Sequence, residues 1–435
     1  MPIATLAPEL LSQCLGNLSR EDLARASLVC RGWLEPSRDH YWSSTGVNIM
    51  DESAKLLAPV LAEGTMVPRK IKGIQIDESD DFEYREAEDT ATWQTHLGSI
   101  MEHFSAVSEL TVGCLDLSQF PAERRTQILR PGQVQKVLII QWLKVEHERE
   151  AASFVLNQPN INFLGIGAVL LAQNEKKKDD KDENEENHKD ENSKMNENDS
   201  ASIVSPPSPP DYVVRLNKLR HLVLFSGTGG LVWSHIVPSL AKGMLMELKT
   251  LIANCHDRDA FAKLIGAAAP ALRSLAVSFN GPGIDIDVSN AKSLSNLSIS
   301  LANYPGREHV LADTVATISS APPSLENVFL NIGPGTIEKD KQLDSASLQW
   351  ATLDAVLAGM PLLRSITIIL VFDSCISMVL SMPGGAGGFV EKWKNQALDY
   401  IKTRLPGCDA KGIIEVKNVT GSWTNGAFAD HPLPE

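Results

Sequence analysis

At 435 residues the chain is long enough for roughly two to four domains, or for one repeat array. Forty basic residues against 54 acidic ones give a net charge of -14, which argues against a nucleic-acid backbone or an anionic membrane as the main partner. The six cysteines, Cys14, Cys30, Cys114, Cys255, Cys375 and Cys408, are scattered in mostly apolar runs without CxxC pairs or metal-ligand spacing, so they read as buried thiols of a reducing compartment.

The first segment runs Leu6-Ala7-Pro8-Glu9-Leu10-Leu11, with Cys14, Leu15 and Leu18 following. Pro8 stands where a helix tolerates proline, in its first turn, and the apolar residues return on one helical face. Ser19 with Asp22 three residues later resembles a capping box, so a second helix starts at Ser19 or Arg20. Leu23, Ala26, Leu28, Val29, Cys30 and Trp33 are read as residues of that helix, and they cover more of its circumference than one buried stripe requires. A unit of about fifty residues is too small to hide that surplus, so either the rest of the chain or another protein covers it.

The pattern Leu6-x-Pro8-Glu9-Leu10-Leu11, Leu18-Ser19, Asp22-Leu23, Ser27-Leu28-Val29-Cys30-Arg31-x-Trp33 and Tyr41-Trp42 resembles the F-box. The resemblance implies a three-helix module that docks on the Skp-family adaptor of a cullin-RING ubiquitin ligase, while the remainder of the chain captures a client. The residues it points to for docking are Leu6, Pro8, Leu10, Leu11, Leu15, Leu28, Val29, Cys30 and Trp33. Some of these must fill the module's own core, and the sequence does not partition them. Many F-boxes carry Leu-Pro at the first two motif positions; here Ala7 follows Leu6 and the proline is Pro8.

Past Trp42, Val47-Asn48-Ile49 predicts a short strand, and Leu56, Leu57, Val60 and Leu61 predict a helix over 54–62 that Pro59 kinks or shortens. A repeat of the form L-x-x-L-x-L then emerges. Its clearest copies begin at Leu219, Leu248, Leu272, Leu294, Leu325 and Leu363, and weaker ones at Ile71, Val107, Val134 and Ile161, with a last at Ile413. The clear copies are 29, 24, 22, 31 and 38 residues apart, a period that straddles the leucine-rich-repeat range and overshoots it. Helical patterns lie between them over 92–104, 146–157, 231–242, 259–268, 310–319, 348–358 and 390–403. Strand–helix alternation with short loops predicts right-handed crossovers and parallel pairing. Stacking of units that cannot cover their own apolar faces predicts a curved solenoid with its strands on the concave side. This region resembles the leucine-rich-repeat part of F-box proteins, although most copies lack the repeat's asparagine after the strand.

Residues 174–200 are almost wholly Lys, Asp, Glu, Asn and Ser, and Ser205-Pro-Pro-Ser208-Pro-Pro follows. With almost no apolar side chains, nothing there offsets an ordering cost of about 1–2 kcal/mol per residue, so disorder is expected. It is read as a tolerated surface insertion or, because Ser205 and Ser208 precede prolines, as a segment regulated by phosphorylation.

No stretch of the sequence completes a catalytic or cofactor-binding motif. The glycine-rich stretch from Phe225 to Leu231 lacks the third glycine of a dinucleotide fingerprint, and Gly384-Gly-Ala-Gly-Gly388 has no Lys-Ser/Thr after it, so it reads as a connector. Cys255-His256-Asp257 reads as a turn, because sequence neighbours cannot line up as nucleophile, base and orienter. The tryptophans Trp142, Trp233, Trp350 and Trp393 read as packing, and Trp423 as exposed or capping. No catalytic residue, cofactor site or metal site is assigned. No basic stretch leading into an apolar core opens the chain, and no apolar run approaches about 20 residues, so a cytoplasmic or nuclear location is expected.

The expected architecture is α/β: an F-box over 1–48, a leucine-rich-repeat-like solenoid over 49–172 and 212–420 interrupted by the insertion 173–211, and a tail over 421–435. The expected role is that of a non-catalytic substrate receptor whose partners are the Skp-family adaptor and a protein client of unknown identity, with neither nucleic acid nor membrane among them. The rival reading is a scaffold that keeps the fold without entering a ligase.

Overall fold

A computed structural model of the chain describes residues 8–43, 46–50, 53–55, 57–58, 71, 73–77, 87–104, 107–130, 132–172, 214–224, 231–243, 245–279, 285–301, 309–332, 346–372 and 386–420. The chain divides into two compact units, one of residues 1–159, 168–215 and 230–236, the other of 160–167, 216–229 and 237–435. The architecture is α/β, with helices at the N-terminus and then parallel strands that follow one another in sequence order.

The first unit opens with α1 (Pro8–Leu15), α2 (Arg20–Ala26) and α3 (Arg31–Ser43). Strands β1 (Gly46–Ile49), β2 (Gly73–Ile76), β3 (Val107–Asp116) and β4 (Val134–Val145) come next, with α4 (Ala87–His103) before β3 and α5 (Ala122–Ile128) before β4. α6 (Glu148–Leu156) closes the run. The register stacks like on like: Val47, Ile74, Leu110 and Leu138 form one row and Ile49, Ile76, Val112 and Ile140 the next. The second row is fully buried, so slipping any strand by one residue would turn its apolar set outward. Gly113 leaves room for the Asp77 carboxylate: a Cβ there would lie 1.5 Å from Asp77 Oδ1 and would push that side chain aside.

Sequence periodicity anticipates β3 and β4 as six-residue strands, whereas they run for 10 and 12 residues. It misses α5 altogether. That helix is held by charge: buried Arg125 lies 2.7 Å from Glu146 and 3.0 Å from Glu150, and it donates to the Phe120 carbonyl. A buried guanidinium is tolerated because its donors are paired.

In the second unit the strands are the first half of β5 (Phe163–Leu171), then β6 (His221–Leu224), β7 (Thr250–Cys255), β8 (Ser274–Phe279), β9 (Asn296–Ser300), β10 (Asn327–Ile332), β11 (Ser365–Phe372) and β12 (Ile414–Thr420). Each pairs in parallel with the next. The L-x-x-L-x-L copies from Ile161 to Leu363 fall into one register, so that Leu164, Leu222, Leu251, Leu275, Leu297, Val328 and Ile366 stand side by side. Ile414 continues the row, which puts the last copy two residues ahead of the expected start at Ile413. The leading leucines, Leu219, Leu248, Leu272, Leu294 and Leu325, lie two residues before their strands and are buried.

Between leucine and strand the backbone repeats one device. The Arg220 carbonyl accepts from the amides of Lys249 and Thr250, that of Lys249 from Arg273 and Ser274, that of Arg273 from Ser295 and Asn296, and that of Ser295 from Glu326 and Asn327, at 2.8–3.0 Å. Beside these carbonyls a side-chain ladder joins Ser274, Asn296, Asn327 and Ser365 at 2.9–3.2 Å.

α7 (Val237–Lys242), α8 (Arg258–Ala268), α9 (His309–Ser319), α10 (Ala346–Gly359) and α11 (Ala386–Arg404) alternate with these strands. A five-residue π turn, Val232–Ile236, occupies the first half of the helix expected over 231–242. α11 begins at Ala386, four residues before the expected start at 390, so the end of the glycine run is helical and not a connector. The β8–β9 connection has no helix over 285–295. Its amides at Ile286 and Val288 donate to the hydroxyls of Thr317 and Ser320, at the end of α9 and just after it. The helix expected over 54–62, the insertion 173–211 with Ser205 and Ser208, the glycines at 225–230 and the tail with Trp423 lie outside the described residues, in the first case except for residues 54, 55, 57 and 58. Among the described residues no helix is long and apolar enough to cross a membrane.

The short α12 (Pro406–Ala410), also unanticipated, is capped by a residue far away in sequence. Asp354 of α10 accepts from the Gly407 amide at 2.8 Å and the Cys408 amide at 3.0 Å. Burial, and after it the Asp354 hydrogen bond and charge, push the Cys408 thiol up to about 12 against a weaker pull from Lys411. Burial likewise raises Cys255 to about 12. Because the thiolate is the reacting form, both stay protonated well above neutral pH. Alkylation with iodoacetamide at pH 8, followed by peptide mapping, will label exposed Cys14 and leave Cys255 and Cys408 intact. Asp354→Ala will expose Cys408 to the reagent and remove hydrogen-exchange protection at residues 407 and 408.

Candidate docking face on the N-terminal helices

Helix α1 starts on Pro8 with Glu9 in its first turn, an acid suited to the positive end of the helix dipole. Leu11 and Leu15, four residues apart, share its inner face and are 6% and 1% exposed. Leu10 is 51% exposed and Cys14 is exposed too. α2 is set by its cap: the Ser19 hydroxyl accepts from the Asp22 amide at 3.2 Å and donates to the Asp22 carboxylate at 2.6 Å. Leu23 and Ala26 then face inward, 2% and 6% exposed. Leu11, Leu15, Leu23 and Ala26 form one core, against which Trp33 and Tyr41 of α3 pack. The Ser12 hydroxyl and His40 Nε2, 2.8 Å apart, add a polar tie between α1 and α3.

One expectation is corrected here. Leu28, Val29, Cys30 and Trp33 do not continue α2. That helix ends at Ala26, and the Ser27 hydroxyl turns back to the Ala24 carbonyl at 2.7 Å. The amides of Leu28 and Val29 reach only three residues back, to Arg25 and Ala26, which tightens the chain out of the helix. Arg31 opens α3, and Trp33 belongs to it. The break lifts Leu28 and Val29 onto a turn, where they are 84% and 65% exposed.

The nine residues singled out by the F-box pattern therefore separate. Leu11 and Leu15 are core, and Trp33 packs on that core. Leu10, Leu28 and Val29 are outside it, and Cys30 is half-buried. Leu6 and the Pro8 side chain lie outside the described residues. Leu18, absent from that set, is 40% exposed. Among the described residues the large apolar side chains left exposed are Leu10, Leu18, Leu28, Val29, Met50, Met246 and Leu362, so four of the seven lie in this module, within one stretch of twenty residues. Such a concentration on one small domain is what an interaction face requires.

The other features the sequence raises have structural uses. Asp257 caps α8 by accepting from the Ala260 amide at 2.9 Å, which settles Cys255-His256-Asp257 as a turn. Trp233 and Trp350 are buried, the latter edge-on to Tyr400 with ring centroids 6.1 Å apart. Trp142 is half-buried, and the Trp393 side chain lies outside the described residues.

Leu15→Ala costs the module about 2–5 kcal/mol, read as lost hydrogen-exchange protection across α1 to α3. Leu28→Ala, on the exposed turn, changes that protection by less than about 0.5 kcal/mol.

Comparison with known proteins agrees with this geometry at the N-terminus. No curated protein matches the chain. Residues 4–45 match the F-box-like family, which spans all three helices, and the chain therefore carries an F-box-like domain at its N-terminus.

Proposed function

We propose that the protein is the substrate-recognition subunit of an SCF-type E3 ubiquitin ligase. Its F-box-like domain docks on the Skp-family adaptor, and its leucine-rich-repeat-like strands and helices hold a protein client. The observation that carries the reading is the pair Leu28 and Val29, the most exposed large apolar side chains among the described residues, raised on the α2–α3 turn while the module's core closes without them. Burying an exposed leucine against a partner is worth about 1.5–3 kcal/mol, so Leu10, Leu28 and Val29 together suffice for a specific anchor.

The role is non-catalytic and works through proximity. Holding adaptor and client on one chain makes ubiquitin transfer effectively intramolecular, with a high local concentration of acceptor lysines, while other subunits of the ligase supply the chemistry.

Co-precipitation of the full chain with the Skp-family adaptor tests the reading. Wild type brings the adaptor down; Leu28→Asp with Val29→Asp does not, since two buried carboxylates would replace two apolar contacts, a loss of about 100-fold or more. Circular dichroism of the variant stays that of wild type. A wild-type chain that leaves the adaptor behind, under conditions in which an established F-box protein retains it, rules out the ligase role and leaves the scaffold.

A further inference from the structure

The residue whose carbonyl clamps the next repeat is charged in successive copies. Arg220, Lys249 and Arg273 occupy equivalent places in three consecutive repeats, linked carbonyl to amide, so they stack about one strand spacing, roughly 4.8 Å, apart. All three are exposed at the N-terminal edge of β6, β7 and β8. Lys218, beside Arg220 in the same repeat, adds to the line, and Lys292, two residues before Leu294, extends it by one repeat; both are exposed as well. Over the four-residue segments ending at Arg220, Lys249, Arg273 and Ser295, the sequence carries these five cations and one carboxylate, Glu247. Glu247 pairs with Arg220 at 3.4 Å, both side chains about half exposed. Lys218 Nζ donates to Asn160 Oδ1 at 3.1 Å, and Lys292 acts on the Asp287 carboxyl, which leaves the centre of the stripe, Lys249 and Arg273, unmet. Among the described residues Lys249 and Arg273 make no ion pair.

A stripe of this sign is out of character for a chain of net charge -14. Its field is felt by its neighbours: His221 is lowered below its ordinary value first by burial and then by the charges of Lys249 and Arg220. Beside the cations runs the neutral row of Thr250, Ser274 and Asn296, and Met246, exposed, lies in the same turn as Lys249. The next clamp residues are Ser295 and Glu326, and the cation that follows them, Arg364, is paired with Glu326 at 3.3 Å, so the stripe covers four repeats, about 15 Å. That length suits a short segment, whereas a long polyanion would run on over the acidic remainder of the chain.

We propose that this stripe is a docking site for a short, extended, Asp- and Glu-rich segment of the client protein, laid across the strands of the second unit. The assignment rests on the client-receptor reading only for the word client; acidic-peptide binding at the stripe stands without the ligase.

The test is fluorescence anisotropy of a labelled hexaglutamate peptide with the full-length chain. Hexaglutamate binds at low salt and loosens severalfold between about 0.05 and 0.3 M salt as screening rises, whereas hexaglutamine does not bind. Lys249→Glu with Arg273→Glu weakens binding about tenfold or more, and Lys249→Gln with Arg273→Gln falls between it and wild type. Lys249→Glu alone weakens binding severalfold, whereas Lys263→Glu, the same charge change on exposed α8, leaves binding as it was. Each charge variant must still bring down the adaptor to the wild-type extent, which separates failure of the stripe from failure of the ligase reading. The proposal is overturned if hexaglutamate does not bind at low salt, if Lys263→Glu costs as much as Lys249→Glu, or if hexathymidylate binds as tightly as hexaglutamate, which would make the stripe a nucleic-acid site.

Discussion

Four buried apolar side chains of α1 and α2, Leu11, Leu15, Leu23 and Ala26, with Trp33 and Tyr41 of α3 packed against them, hold the three N-terminal helices together, and the docking face depends on how completely they do so. A module this short has room for one inward stripe per helix. Once Leu11 and Leu15 take the inner face of α1, and Leu23 and Ala26 that of α2, no inner place remains for Leu10, Leu28 or Val29. The Ser27 hydroxyl bond that ends α2 makes the outcome definite, because it moves Leu28 and Val29 off any helical face and onto a turn. Surplus apolar surface at this site is thus a product of the module's own hydrogen bonding, and its natural complement is another protein.

The second unit answers the same demand differently. Its units bury their leucines against one another, and what fixes their spacing is polar: one carbonyl per repeat accepts two amides of the next, with the Ser274–Asn296–Asn327–Ser365 ladder alongside. Over 285–295, the described part of the β8–β9 connection, no helix forms, and Thr317 and Ser320 accept from the amides of Ile286 and Val288. Irregular repeat length is tolerated because the clamp constrains only the residues next to the strand. The length of each loop is left open. A further consequence is that side chains at the clamp position are brought into line whatever their identity, and in three consecutive repeats that identity is cationic.

Much of this was legible in the residues. The L-x-x-L-x-L copies announce β2 to β12 because parallel strands with covered faces need apolar residues at alternate positions, and the Ser19–Asp22 pair announces the start of α2. Three things were not. The end of α2 turns on one serine hydroxyl choosing a carbonyl, a local competition that composition does not reveal. The short helices α5 and α12 are set by Arg125 with Glu150 and by Asp354 with Gly407, partners 25 and 53 residues apart, so nothing in their own windows marks them. The division of the F-box residues into core and face, finally, needs three helices in place at once; periodicity ranks Leu10 and Leu11 alike, and only packing separates them.

Hydrogen–deuterium exchange of the full-length chain with and without the Skp-family adaptor addresses the central claim most directly. A closed core with an external docking face predicts new protection at the amides of residues 27–31 and in the first turn of α1, with the already protected amides around Leu15 and Leu23 unchanged. Uniform new protection across all three helices would mean that the module folds only on its partner, and protection confined to other parts of the chain would mean that the Leu28–Val29 turn is not where the adaptor sits.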